Sequence, residues 1–208
     1  MSVAAVDRCL TVLETLASAP SGLALGDLAD RLAVPKSAAF RVLHTLADRG
    51  YVAQDPGGEY RLSLKMAMLG FRFLDDSTLP DVAQQSLDAL AASSREYCRI
   101  ALVDGARLAW VARAQGAPHG LRYDPPMGGE PVLHATATGK AWLATLSDDA
   151  ALRIAGAQGY ATRPGQGARA LRSPEALARE LYATRRRGYA IAIDEGEVGI
   201  VALAAAFA

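Results

Sequence analysis

"LADRLAVPKSAAFRVLHTLADRGYV", residues 28–52, decides how the chain folds. Apolar residues recur at helical spacing on both sides of a break at "AVPK". Before the break, Leu25, Leu28, Ala29 and Leu32 make a short amphipathic helix. After it, Ala39, Val42, Leu43 and Leu46 make the inner stripe of a helix from about Lys36 to Arg49. Gly50 suits the left-handed conformation that stops a helix. The outer face carries Ser37, Ala38, Arg41, His44, Thr45 and Asp48.

Upstream, Val6, Cys9, Leu10, Leu13 and Leu16 mark another helix that stops before Pro20. Downstream, "YVAQDPGGEYRLS" (51–63) places two short strand-like runs around "DPGG", a strong turn. Helix, short helix, exposed helix and hairpin have the shape of a winged helix-turn-helix. Such a recognition helix enters the major groove with its first turns. Lys36 and Ser37 suit phosphate contact there, and Arg41 can chelate a guanine edge or clamp a phosphate. Ala38 and Thr45 share that face. In the wing, Arg61 is the base and Tyr60 can hydrogen-bond a phosphate. Phe40 is read as packing on a neighbouring loop, and His44 as solvated.

Total charge adds nothing to this reading, because 22 basic residues balance 22 acidic ones. Within the first 63 residues, Arg8, Arg31, Lys36, Arg41, Arg49 and Arg61 face Asp7, Glu14, Asp27, Asp30, Asp48, Asp55 and Glu59. A nucleic-acid site here depends on where charge is placed, not on an excess of it. The chain has 208 residues and is 51% hydrophobic, enough for one large domain or two small ones. No apolar run is long enough to span a bilayer, and the N-terminus lacks a secretory pattern. Cys9 and Cys98 lie far apart without metal-ligand spacing and read as core residues. A reducing cytoplasm is the expected location.

"KMAMLGFRFL" (65–74) is apolar on nearly every face and must bury itself against something, most simply a second copy of the chain. After "STLP" comes an amphipathic helix with Ala83, Leu87, Leu90 and Ala91 inward. From residue 96 the period changes to two, with a hairpin turn at Asp104-Gly105. "GLRYDPP" can supply another strand. "ATGKAWLATL" begins a helix, and a loop spans 156–172. "SPEALARELYATRRRG" is a helix capped by Ser173, with Pro174 first and Gly188 at its stop. "YAIAID" and "GIVALAAAF" read as strands. The fold class is α+β: residues 1–63 DNA-binding, 64–78 a linker and dimerisation helix, 79–208 a mixed second domain.

"HATATGKA" (134–141) ends in the Gly-Lys of a phosphate loop, but His134 stands where that loop needs glycine and Ala141 where it needs a hydroxyl. What remains is a run of small residues entering a helix, an end that favours an anion. The alternative is an ordinary capped helix start with Lys140 in solvent. No catalytic set converges: the histidines are dispersed and no nucleophile motif occurs. Arg185, Arg186 and Arg187 read as a solvated helix end. Asp194, Glu195 and Glu197 read as a solvated loop rather than a metal site.

Across nearly its whole length, from Val3 onward, the chain resembles the IclR-type transcriptional regulators. The resemblance rests on residues 28–52 with "GEYRL", and on "PVLHATATGKAWLA", "RRRGYAIAIDEGEVG" and "SPEAL" in that order. It implies a winged helix-turn-helix, a dimerising linker and a GAF-like effector-binding domain. It implies no enzyme, cofactor or metal. The implied partners are a palindromic operator in double-stranded DNA, a small organic acid, and a homodimer or dimer of dimers, without a membrane. The DNA-contact positions carried over are Lys36, Ser37, Ala38 and Arg41, with Arg61 in the wing. Thr is frequent in the family where Ala38 stands.

The implied effector pocket involves Met127, Gly128, His134, Ala135, Thr136, Ala137, Thr138, Ala192 and Ala202, with the amides of Ala137 and Thr138 receiving a carboxylate. The family commonly has Asp where Ala192 stands and Cys or Ser where Ala202 stands. A pocket without those polar groups suits an aromatic or hydrophobic acid, because each unmet polar group on a buried ligand costs free energy. The family also continues past "VALAAAFA", so a shortened chain or an incomplete pocket is expected. The competing reading is a small-molecule sensor or enzyme built on the GAF-like half, its N-terminal part serving only in oligomerisation.

Overall fold

The computed structural model describes residues 3–75, 79–120, 122–125 and 127–207, with the side chains of residue 75 and of 79–82 left aside. The chain divides into two units, Met1–Pro80 and Asp81–Ala208. The end of the expected linker, Thr78, lies outside the described residues.

In the first unit, α1 (Ala4–Ala17), α2 (Leu25–Arg31) and α3 (Lys36–Asp48) precede the antiparallel strands β1 (Val52–Gln54) and β2 (Tyr60–Leu62). Val12, Leu16, Leu28, Leu43 and Leu46, one from nearly every helical turn, meet Val52 and Tyr60 in one core. Cys9 packs against it from the rim. Asp55 organises the wing turn, its Oδ1 accepting from the backbone N–H groups of Gly57 (2.9 Å) and Glu59 (3.0 Å). The linker helix α4 (Leu64–Asp75) is tied at its start to the end of α3. The Ser63 hydroxyl donates to the Gly50 carbonyl and accepts from the Lys65 N–H, while Lys65 Nζ donates to the Arg49 carbonyl at 2.7 Å. Leu64, Met68 and Phe71 form an exposed stripe along α4.

In the second unit, Leu87 and Ala91 of α5 (Leu79–Ser94) pack on Cys98, Ile100, Ala112 and Ala114 of the hairpin β3 (Tyr97–Asp104) and β4 (Arg107–Gln115). Leu90, expected inward, is exposed. The main core of this unit gathers Leu108, Leu133, Trp142, Leu143, Leu177 and Leu181 from β4, α6 (Ala137–Leu143), α8 (Pro174–Arg187) and the loop before α6. A helix absent from the sequence reading, α7 (Asp148–Gln158), adds Ala151 and Ala155. Ser147 caps it, and the loop expected from residue 156 starts after its end. The Ser173 cap, Pro174 start and left-handed Gly188 of α8 stand as expected.

Strands β5 (Ala190–Ile193) and β6 (Val201–Ala204) form a separate antiparallel pair. "GLRYDPP" gives no strand among its described residues. Side chains tie that segment down instead: Arg113 to Asp124 at 2.7 Å, and Gln115 Nε2 to the Tyr123 carbonyl at 3.0 Å.

Candidate nucleic-acid interface and effector site

The N-terminus of α3 is built to meet an anion. Its cap is Pro35, which offers no side-chain acceptor. The Pro35 carbonyl takes the N–H groups of Ala38 and Ala39, leaving those of Lys36 and Ser37 without an acceptor among the described residues. Two free amides, the positive end of the helix dipole and the Lys36 ammonium thus share one exposed end. Arg41 lies one turn further on, exposed and without an ion-pair partner among the described residues. Ala38 is half-buried, and the Thr45 hydroxyl is spent on the Arg41 carbonyl at 2.9 Å. Phe40 does not pack on a neighbouring loop: it is 47% exposed and meets the His44 ring edge-on at 5.8 Å. His44 is solvated as expected, beside Asp48.

The wing corrects one expectation. Tyr60 is only 5% exposed, its ring part of the core, so it is withdrawn from the phosphate-facing set. Tyr60 lies on the same face of the hairpin as Val52, two residues along from its partner Gln54, and that face carries the core. Arg61 remains outside, paired with Asp55. An ion pair so exposed is worth about 1 kcal/mol or less, and a phosphate can displace it.

In the second unit, the turn at 134–138 is buried and shaped by its neighbours. Thr136 caps α6, its Oγ1 accepting from the Gly139 N–H at 3.1 Å and donating to the Val132 carbonyl at 3.0 Å. The N–H groups of Ala137 and Thr138 have no acceptor among the described residues. His134 is 1% exposed. Burial first, then the charges of Arg163 and Arg172, hold its pKa below the usual value, so its ring is neutral near pH 7. Its Nδ1 has no partner among the described residues, nor has the buried hydroxyl of Tyr160, whose ring lies 5.1 Å away. Polar atoms in that position call for water or a ligand.

Lys140 does not lie in solvent, where the alternative reading of this turn placed it. It is fully buried, its Nζ bound to both oxygens of Glu195 at 2.8 and 2.9 Å and lying 4.0 Å from Glu180. Glu195, expected in a solvated loop, is buried with it and also accepts from the Ile193 N–H. The signal was present in the sequence. Ala137, Gly139 and Ala141 are small because that helix is enclosed on all sides, and an enclosed lysine needs a carboxylate. The pair fastens the loop after β5 to α6, where Gly196 comes within reach of the turn: a Cβ there would sit 3.2 Å from the Ala135 carbonyl and the Thr136 methyl.

Ala192 and Ala202 lie directly opposite each other across β5 and β6. Met127 lies beside Tyr97, its sulfur accepting from the Tyr97 hydroxyl at 3.9 Å. Gly128 is exposed and meets nothing within 4 Å of an added Cβ. Among the described residues, no cluster of His, Cys, Asp and Glu could hold a metal. No helix among them is long and apolar enough to cross a membrane.

Residues 5–56 match the IclR helix-turn-helix domain, and residues 71–207 match the C-terminal domain of the bacterial transcriptional regulator IclR. The chain belongs to the IclR family. It is 30% identical over 210 residues to the transcriptional repressor IclR of Escherichia coli, covering 98% of this chain and 74% of that protein. It is likewise 30% identical to the glycerol operon regulatory protein of Streptomyces coelicolor, over 98% and 78% of the two chains. The IclR transcriptional regulator of Alicyclobacillus acidocaldarius superposes with a TM-score of 0.78 at 26% identity, over 98% of this chain and 81% of that one. An IclR homologue of Microbacterium hydrocarbonoxydans, crystallised with 4-hydroxybenzoate, gives 0.78 at 23% identity over 97% and 82%. This IclR-family chain is therefore a DNA-binding transcriptional regulator with an effector-binding domain, and not an enzyme.

Proposed function

We propose that the chain regulates transcription as a dimer on a palindromic operator, in response to an aromatic or hydrophobic carboxylic acid. The observation that carries the DNA half is the start of α3, where two free amides, Lys36, Ser37 and Arg41 converge on one exposed end. Lys36 and Ser37 set the helix on the backbone, Arg41 reads or clamps beyond them, and Arg61 reaches from the wing once released from Asp55. The chain works in the cytoplasm, where this DNA is.

The effector half is supported by the turn at 134–138. Free amides at Ala137 and Thr138 and unpartnered polar atoms on His134 and Tyr160 offer hydrogen bonds to an acid. The apolar pair Ala192–Ala202 offers none, which favours a ligand with an apolar body. Met127 joins the wall near Tyr97. Effector binding shifts the dimer between states of different DNA affinity through α4, whose start is tied by Ser63 and Lys65 to the end of the recognition helix.

A gel shift with DNA from the protein's own upstream region tests the reading. Arg41→Ala should abolish the shift while the melting temperature stays put. An unshifted wild type, or a variant that still binds, overturns it. Calorimetric titration tests the effector class: tight binding of pyruvate or glyoxylate with no response to aromatic acids would sink it.

A further inference from the structure

The face of the β3–β4 hairpin turned away from α5 carries a group that the turn at 134–138 does not include. Tyr97, Arg99 and Arg113 lie on it, with Trp110 beyond the bulge at Ile100/Ala101. The Arg99 guanidinium carbon lies 3.8 Å from the centre of the Trp110 ring and 5.5 Å from that of Tyr97. Tyr123 meets Tyr97 edge-on at 5.7 Å.

Arg99 is half-buried, yet among the described residues it has no carboxylate partner and no side-chain hydrogen bond. Every nearby candidate is engaged elsewhere. Asp124 belongs to Arg113. Glu197 accepts from the Tyr123 hydroxyl at 2.5 Å. That phenol is pushed up to about 12, by burial first and then by Glu197, so it remains a donor to Glu197. The residue opposite Arg99 in the register is Arg113, a like charge. Trp110 Nε1 is a buried donor without an acceptor among the described residues.

A half-buried guanidinium held over an aromatic ring without a hydrogen-bond partner has N–H donors to spare, and those donors bind carboxylate in a fork. The rings on either side offer their faces and edges to another ring. The loop between β5 and β6 joins this group to the turn. Its Glu197 holds Tyr123, its Gly196 packs on Ala135 and Thr136, and its Glu195 holds Lys140.

We propose that Arg99 is the charge-selecting residue of the effector site, binding the carboxylate of an aromatic acid whose ring packs among Trp110, Tyr97 and Tyr123. The proposal rests on the reading of the second domain as the seat of an aromatic acid. It adds the residue that distinguishes an acid from its neutral isostere.

The test is calorimetric titration of the full chain with benzoate, 4-hydroxybenzoate and benzamide near pH 7. The wild type should prefer benzoate over benzamide by about tenfold or more, as a charge-assisted hydrogen bond requires. Arg99→Met should level the two, weakening benzoate more than benzamide, and Arg99→Lys should restore part of the preference. If Arg99→Met does not fold, as judged by its melting temperature, Arg99→Gln is read the same way. Benzoate should also alter the fluorescence of the wild type but not of Trp110→Phe. A variant lacking Arg99 that keeps the full acid preference overturns the role of Arg99 while leaving the effector reading intact. A wild type that binds none of the three compounds overturns the effector reading, and this inference with it.

Discussion

Lys140 is an ammonium enclosed away from water. Burying an ammonium is costly, and the structure offsets the cost with two hydrogen bonds that Lys140 donates to the one carboxylate of Glu195. Removing one member strands the other. Lys140→Met should therefore cost about 3–5 kcal/mol in urea unfolding, while Lys140→Met combined with Glu195→Leu should recover much of it. A loss in the single variant below about 1 kcal/mol, the worth of a surface pair, would contradict the burial. His134 makes a pH prediction of the same sign as a carboxylate with a lowered pKa, and opposite to that of a histidine paired with an acid. Its folded pKa lies below the unfolded value of about 6.5. The unfolded chain thus takes up a proton before the folded one does. Stability is full above that value and declines as the pH falls from there through the folded pKa. Unfolding free energies at about pH 7.5 and about pH 5.5 should differ less in His134→Asn than in the wild type; equal slopes would refute this. Residue by residue, exposure was the hardest thing to foresee. Tyr60 and Lys140 both looked like surface groups in the sequence, because their burial is decided by partners distant along the chain, Leu23 for one and Glu195 for the other.

Elements were easier to foresee where local chemistry names them. The Ser173–Pro174 start and Gly188 stop of α8, the Asp104-Gly105 hairpin and the wing turn all follow from rules that act within a few residues. Helix α7 escaped because its buried residues are alanines, Ala151 and Ala155, which leave almost no hydrophobic contrast between its faces. Residues 120–126 looked like a strand, but among the described ones Asp124 and Tyr123 are held by the side chains of Arg113 and Gln115. The short helix α6 shows what a cap and a glycine each contribute. Thr136→Ala removes the bond to Gly139 and should cost about 1 kcal/mol. Gly139→Ala places a Cβ against the backbone carbonyl of Leu133, which cannot rotate away. It should cost more, in the range of about 1–3 kcal/mol typical of overpacking, and should blunt any response to aromatic acids. Urea unfolding of the two variants side by side decides the order; a milder effect from Gly139→Ala would mean that the turn can yield.

For the whole molecule, the sequence motifs reached further than the physics of any one of them. The helix-turn-helix and the effector domain were legible because several short patterns occur in a fixed order. The meeting of Arg99 and Trp110, on which our effector proposal rests, was not legible, since it comes from pairing across a bulged hairpin and from no local pattern. The assembly lies between these cases. The exposed stripe Leu64, Met68 and Phe71, with Phe71 at 70% exposure, is unstable as a permanent surface in water. A second copy covering it makes the linker helix a dimer seam, as we propose. Two recognition helices held together bind two half-sites with the second contact made at high effective concentration. Phe71→Glu puts a charge into that seam without touching the core of the first unit, which is built from Val12, Leu16, Leu28, Leu43 and Leu46. The variant should sediment as a monomer, keep its helical content, and bind a palindromic operator no better than an isolated half-site. Arg41→Ala should do the reverse, losing both DNAs while remaining a dimer. A Phe71→Glu protein that still sediments as a dimer would place the seam elsewhere and leave the stripe to be covered by something other than its own copy.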